Sequence, residues 1–332
     1  MLHRLSPSLS AFLTFAAAAV CFIFPAAAQT GNPGGPINDR LGEMDYGVCR
    51  GVDPKCFHDW PRKPAEQIRL LVFTKTAGYR HANLGPSLAE GINPPLDPKN
   101  VVHHEMLKIA SENGWHLDYT EDVKEMRDLN GYQAIVFFST SRDILDDSAK
   151  TALRQYIRAG GGFVAIHNAF GTLYNWPYYE GLLGGANFYN HGQFREGDVE
   201  ITDNKDASTN GLAKRWHFKD EWYNLIPFPT HVRFLATVDE KSWPAGSGDN
   251  LAPPGPSPSR YPAVVGQMPG HGSFHPVAWC QYYDGGKVWA TTLGHDAGIF
   301  ANDDAKFPGS VAYRKLIVGG MKSVMGIEPF CR

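Results

Sequence analysis

Residues 146–167, DDSAKTALRQYIRAGGGFVAIH, decide the fold. Acidic residues open a helix, Leu153, Tyr156 and Ile157 share one stripe of it, and glycine ends it. The apolar run GFVAIH that follows reads as a strand covered on both faces. The same alternation extends upstream through IRLLVFT (68–74), VVHHEMLKIASENG (101–114), WHLDYT (115–120) and QAIVFFS (133–139). In the first helix Val102, Met106, Ile109 and Ala110 form the inward stripe, and Asn113 and Gly114 form the cap. Strands alternating with helices imply a flavodoxin-like, doubly wound, mainly parallel α/β sheet with helices on both faces. Downstream, DVEIT (198–202), VRFLATV (232–238), PAVVGQ (262–267), HPVAWCQYY (275–283) and KVWATTL (287–293) read as strands, several with the alternation of antiparallel pairing. They predict antiparallel additions in the C-terminal half. A last helix, 309–326, buries Val311, Leu316 and Ile317.

The ends of the chain read differently. A basic start at His3 and Arg4, an apolar run from Ala11 to Phe24 and the small residues Ala26, Ala27 and Ala28 make residues 1–28 an export signal. That run is shorter than a spanning helix needs and stops at Pro25. The mature chain is therefore expected outside the cytoplasm, in a periplasm, with no membrane span. Residues 29–65 form an irregular arm, 66–328 the main domain, and 329–332 a tail. A Pro, Gly and Ser rich insert occupies 241–260. Four cysteines remain after the signal, an even number for an oxidising compartment. Of three connectivities on paper, Cys49 with Cys56 and Cys280 with Cys331 is preferred. With 31 Lys plus Arg against 34 Asp plus Glu, the chain lacks the basic excess of a nucleic-acid binder. A small, weakly charged partner fits better.

Four histidines stand at or just past strand ends: His81, His167, His191 and His295. In a parallel α/β sheet the carboxyl ends of the strands line the ligand crevice, so distant residues converge there. Imidazoles in such a place can act as acid and base or hold a divalent metal such as zinc. Asp220 and Glu221 form an acid pair, of which strand alternation turns one inward, with Glu221 favoured. Arg80 offers a planar fork to a ligand or a salt bridge to a neighbouring acid. Trp176, Tyr178, Tyr179, Phe188, Trp222 and Trp279 are core candidates, of which about two face a ligand. The HHE of His103 to Glu105 reads as a solvated helix face, and HGSFH (271–275) as a weak metal fragment whose His275 borders the crevice.

Together TKTAGYRH, GGGFVAIHNAFG, GGANFYNH, the DEWY of Asp220 to Tyr223, HPVAW and LGH resemble the trehalose-utilisation ThuA family, from about Ile68 to Gly326. That family's fold is similar to class I glutamine amidotransferases. Those enzymes carry a nucleophilic cysteine on a sharp turn matching Ile166 to Asn168. No cysteine stands there, which excludes thiolate glutamine hydrolysis. The resemblance implies carbohydrate chemistry on a glycoside or a keto-sugar derivative, by hydrolysis, isomerisation or elimination. A sugar also suits a crevice of aromatic and polar side chains. His167, Glu221 and Asp220 are then the catalytic candidates, and His81, His191 and His295 the metal candidates. Arg80, Asn168, Trp176, Asn190, Trp222 and Tyr223 are candidates for substrate contact. The other reading is a carbohydrate-binding protein that kept the pocket and has no catalysis.

Overall fold

The computed structural model describes residues 44–61, 67–244 and 270–332, all within the unit Gly42–Arg332. Two short strands, β1 (Met44–Asp45) and β2 (Val48–Gly51), precede β3 (Arg69–Phe73), helix α1 (Val101–Glu112), β4 (His116–Thr120), β5 (Ala134–Phe138), α2 (Asp147–Arg158) and β6 (Gly162–Ile166). Then come α3 (Pro177–Leu182), β7 (Phe188–His191), β8 (Arg195–Ile201), β9 (Arg215–Asp220) and β10 (Tyr223–Leu225). The chain closes with β11 (Arg233–Asp239), β12 (His275–Tyr283), β13 (Gly286–Thr291) and α4 (Ser310–Met325).

The main sheet has the order β4-β3-β5-β6-β13-β12-β11-β8-β9, with β2 on β12. From β4 to β13 the pairing is parallel; from β13 to β9 it is antiparallel. The parallel part repeats the flavodoxin-like order, and the antiparallel part supplies the predicted additions. Each strand of the parallel part faces two cores because its side chains alternate. Leu70 and Val72 of β3 pack with α1 and α4, while Leu71 and Phe73 pack with α2 and α3. Gly160, at φ +91°, ends α2 in a conformation few side chains adopt.

Asp146 caps α2 by accepting from Ala149 N at 2.8 Å, and Leu153, Tyr156 and Ile157 are buried. Both expected disulfides form, Cys49–Cys56 and Cys280–Cys331. Among the described residues no helix is long and apolar enough to cross a membrane.

Several expectations need correction. The arm is regular at β2, whose residues Gly51 and Arg50 pair with Tyr282 and Tyr283 of β12, because β12 extends past the reach of β11 and leaves an edge to fill. Val311 is half-buried and Tyr313 takes the inward place in α4. His103 is fully buried rather than solvated. Residues 262–267 and most of the 241–260 insert lie outside the described residues.

Candidate functional site

Three loops at the carboxyl ends of parallel strands bring imidazoles together. His81 follows β3, His167 follows β6 directly, and His295 follows β13. His167 adopts φ +54°, a left-handed conformation that costs a non-glycine residue free energy and is found at functional turns. Gly294, at φ +143°, makes this turn possible: a Cβ there would stand 3.0 Å from the His167 Cβ and 3.2 Å from the Tyr313 hydroxyl.

The imidazoles are in contact. His81 Nε2 and His167 Nε2 are 3.0 Å apart, and the His295 ring centroid lies 5.2 Å from that of His81 and 5.5 Å from that of His167. His167 Nδ1 lies 2.8 Å from the Thr292 carbonyl, which only accepts, so Nδ1 carries the proton and Nε2 turns a lone pair to the cluster. Tyr223, stacked on the same ring at 4.5 Å, donates its hydroxyl to that nitrogen at 2.9 Å.

Glu221 supplies the charge. Its Oε2 lies 3.0 Å from His295 Nδ1, 3.6 Å from His191 Nε2 and 3.8 Å from His167 Nε2. Ligand atoms of His81, His167, Glu221 and His295 all fall within 4.8 Å of one another. Donors sharing one zinc-sized ion at about 2.0–2.1 Å are themselves separated by roughly 3.0–3.4 Å, so this group would have to draw closer to share one.

Electrostatics follow from burial and charge. Burial, with help from His295, lowers His81 to about 4, and burial takes His167 well below the usual imidazole range. Both are neutral and hold lone pairs. At His295 burial is outweighed by Glu221, Asp220 and Asp296, and its basicity rises. At Glu221 burial is likewise outweighed by His295 and His191, which hold the carboxylate ionised.

The remaining sequence candidates divide. Asp220 turns away from the cluster and is buried, accepting from Gly294 N at 2.8 Å, His295 N at 3.3 Å and Glu221 N at 2.8 Å. Burial raises it to about 7 against the pull of those amides. It shapes the loop that carries His295 and does not face the crevice. Arg80 is spent on the Gly85 and Pro86 carbonyls at 2.7 and 2.8 Å and on Glu121 at 2.9 Å. Trp222 is core, its Nε1 donating to the Arg195 carbonyl at 3.2 Å. Trp176 stacks on Tyr178 at 5.2 Å, and Asn190 accepts from Asn224 at 3.3 Å. Asn168 is buried directly after His167. His191 is half-buried and donates from Nδ1 to the Gly192 carbonyl at 2.6 Å, leaving Nε2 toward Glu221.

Sequence reading missed three neighbours. Tyr79, 67% exposed, lies edge-on to His81 at 4.8 Å, and Phe194 packs on His295 at 5.0 Å. Both lie within three residues of a chosen histidine, which was the available signal. Asn83, buried, donates to the Gly294 and His295 carbonyls at 3.0 and 2.9 Å; nothing in the local sequence marks it.

The chain defines an α/β protein of glutamine amidotransferase-like fold, with His167 at the sharp turn that follows β6. A family model described as ThuA, trehalose utilisation, matches residues 69–308, and the chain belongs to that family. A ThuA-like protein from Bacteroides uniformis ATCC 8492 superimposes with a TM-score of 0.55 at 19% identity, covering 80% of this chain and 95% of that one. A ThuA-like protein from Parabacteroides merdae ATCC 43184 gives 0.54 at 16% identity, covering 79% and 91%. No curated protein matches the sequence.

Proposed function

We propose that this protein is an exported carbohydrate-processing enzyme that acts on a glycoside or keto-sugar derivative by histidine and carboxylate proton transfer, assisted by a divalent metal such as zinc. One observation carries the reading: ligand atoms of His81, His167, Glu221 and His295 within 4.8 Å of one another. Membership of a family described by trehalose utilisation supports a sugar as substrate. The two disulfides support export.

In this reading His81, His167, His295 and Glu221 hold the ion, and the roles of His167 and His191 are exchanged relative to the sequence expectation. The lone pair of His167 Nε2 is aimed into the cluster by the Thr292 carbonyl, as a ligand requires. A bound divalent ion supplies Lewis-acid polarisation of a sugar carbonyl or hydroxyl. His191 Nε2, 3.6 Å from Glu221, takes the substrate proton, and Glu221 stabilises the imidazolium that results. The Tyr223 hydroxyl, 2.9 Å from His167 Nε2, donates to substrate oxygen.

Metal analysis of the purified protein, paired with turnover of 3-keto and ordinary glycosides, tests the proposal. The wild type is expected to bind about one zinc-type ion, and His167→Ala and His295→Ala to lose it. His191→Ala is expected to keep the metal while kcat falls roughly 10²- to 10⁴-fold. A wild type with no metal and no turnover, whose sugar binding survives all three changes, would establish a purely binding protein instead.

A further inference from the structure

The strand β10 has three residues, and among the described residues its strand partner is β7. The Ile226 amide, just past β10, donates to the Asn187 carbonyl at 3.0 Å, beside β7. Alternation in an extended strand sends the Tyr223 carbonyl and the Leu225 amide the other way, where a third strand would normally meet them.

Two imidazoles meet them instead. His275 Nε2 donates to the Tyr223 carbonyl at 3.0 Å, and the Leu225 amide donates to His271 Nε2 at 3.0 Å. The rings touch edge to face at 4.8 Å, so one donor and one acceptor stand side by side where a neighbouring strand would offer them. Glu240 holds both: its Oε1 lies 2.8 Å from His275 Nδ1 and accepts from His271 N at 2.6 Å. The two nitrogens of His275 thus face Glu240 on one side and the Tyr223 carbonyl on the other. Burial lowers His271 to about 4, so its ring is neutral and Nε2 keeps the lone pair that Leu225 needs.

We infer that Glu240, His271 and His275 form a clasp that replaces the missing strand beside β10 and thereby fixes Tyr223 against His167. They are positioning residues, and Tyr223 is the group through which they act. Loss of the clasp frees the Tyr223 backbone, and its hydroxyl leaves His167 Nε2. The clasp is inferred for the metal-free protein, where the His167 Nε2 lone pair accepts from Tyr223, and it does not rest on a sugar as substrate.

Nitrogen-15 NMR of histidine-labelled, chelator-treated protein tests it, because the His167 Nε2 resonance reports whether its lone pair accepts a hydrogen bond. Tyr223→Phe sets the shift for a lost hydroxyl. His275→Ala and Glu240→Gln are expected to move the resonance in the same direction, by at least half as much, in protein that still melts cooperatively. His275→Gln, whose amide can still donate to the Tyr223 carbonyl, is expected to restore most of it. A resonance that moves in Tyr223→Phe and stays in place in His275→Ala and Glu240→Gln overturns the inference, as does one that Tyr223→Phe leaves unmoved. Should His275→Ala fail to fold, Glu240→Gln decides by the same criterion.

Discussion

Asp220 and Glu221 are neighbours with opposite work, and the difference lies in what surrounds each oxygen. Glu221 faces three imidazoles with one oxygen; Asp220 faces three backbone amides with two. An asparagine at 220 keeps the shape but turns an NH₂ toward an amide donor, leaving a buried group unpaired at a cost of about 1–3 kcal/mol. Asp220→Asn is therefore expected to lower the urea midpoint; an unchanged midpoint would remove Asp220 from its supporting role. The histidines were readable because each sits at the end of an apolar run, and a strand end fixes where its next residue goes. Alternation said that one of Asp220 and Glu221 turns inward, with Glu221 favoured, but did not by itself choose between them. For Arg80 the salt-bridge alternative holds, to Glu121, and Trp222 is core; which of such roles a side chain takes depends on which carbonyls and rings happen to be near, and no local pattern encodes that. Asn83 was invisible for the same reason.

At the scale of elements, α1 shows how a helix can hide a titratable group. His103 stands three residues before Met106 and seven before Ala110, on the edge of the inward stripe, while His104 faces solvent. The sequence reading separated the HHE residues by helical rotation of about a hundred degrees each and still took the triplet as solvated, whereas that rotation turns His103 inward. His103 Nε2 donates to Thr74 Oγ1 at 2.9 Å, and Thr74 donates to Glu121 at 2.9 Å. Burial, followed by Arg80 and His104, lowers His103 to about 4 from 6.5. The sign follows: between those values the unfolded chain binds the extra proton, so the contribution is complete above 6.5 and is lost as pH falls toward 4. Other buried histidines act in the same window, so the difference between variants is the measure. His103→Gln is expected to lose about 2 kcal/mol less than wild type between pH 7 and 5, read from urea unfolding at each pH; parallel curves would refute it. The strands and helices themselves were legible because apolar runs and stripes have unambiguous periods. β2 was not, since four residues at an edge carry too little pattern and gain their structure from β12.

Over the whole molecule, the cluster is assembled from both halves of the sheet. The parallel half delivers His81, His167 and His295, the antiparallel half delivers Glu221 just past β9, its last strand, and Tyr223 follows in the separate two-stranded sheet of β7 and β10. No single segment contains the site, so its integrity depends on how the chain is tied end to end. Cys280 lies in the central strand β12 and Cys331 near the C-terminus, both buried and 51 residues apart, whereas Cys49 and Cys56 are separated by 7. A cross-link stabilises chiefly by removing freedom from the unfolded chain, and this effect grows with the logarithm of loop length, to roughly 4 kcal/mol for the longer loop and roughly 2 for the shorter. Cys280→Ala with Cys331→Ala is therefore expected to lower the unfolding free energy by more than Cys49→Ala with Cys56→Ala does. The short link joins β2 to the turn that follows it, and β2 meets β12 through two paired residues alone. Denaturant midpoints of the two double variants decide the order, and a larger loss from the short loop would mean that β2 supports the sheet more strongly than its two paired residues imply.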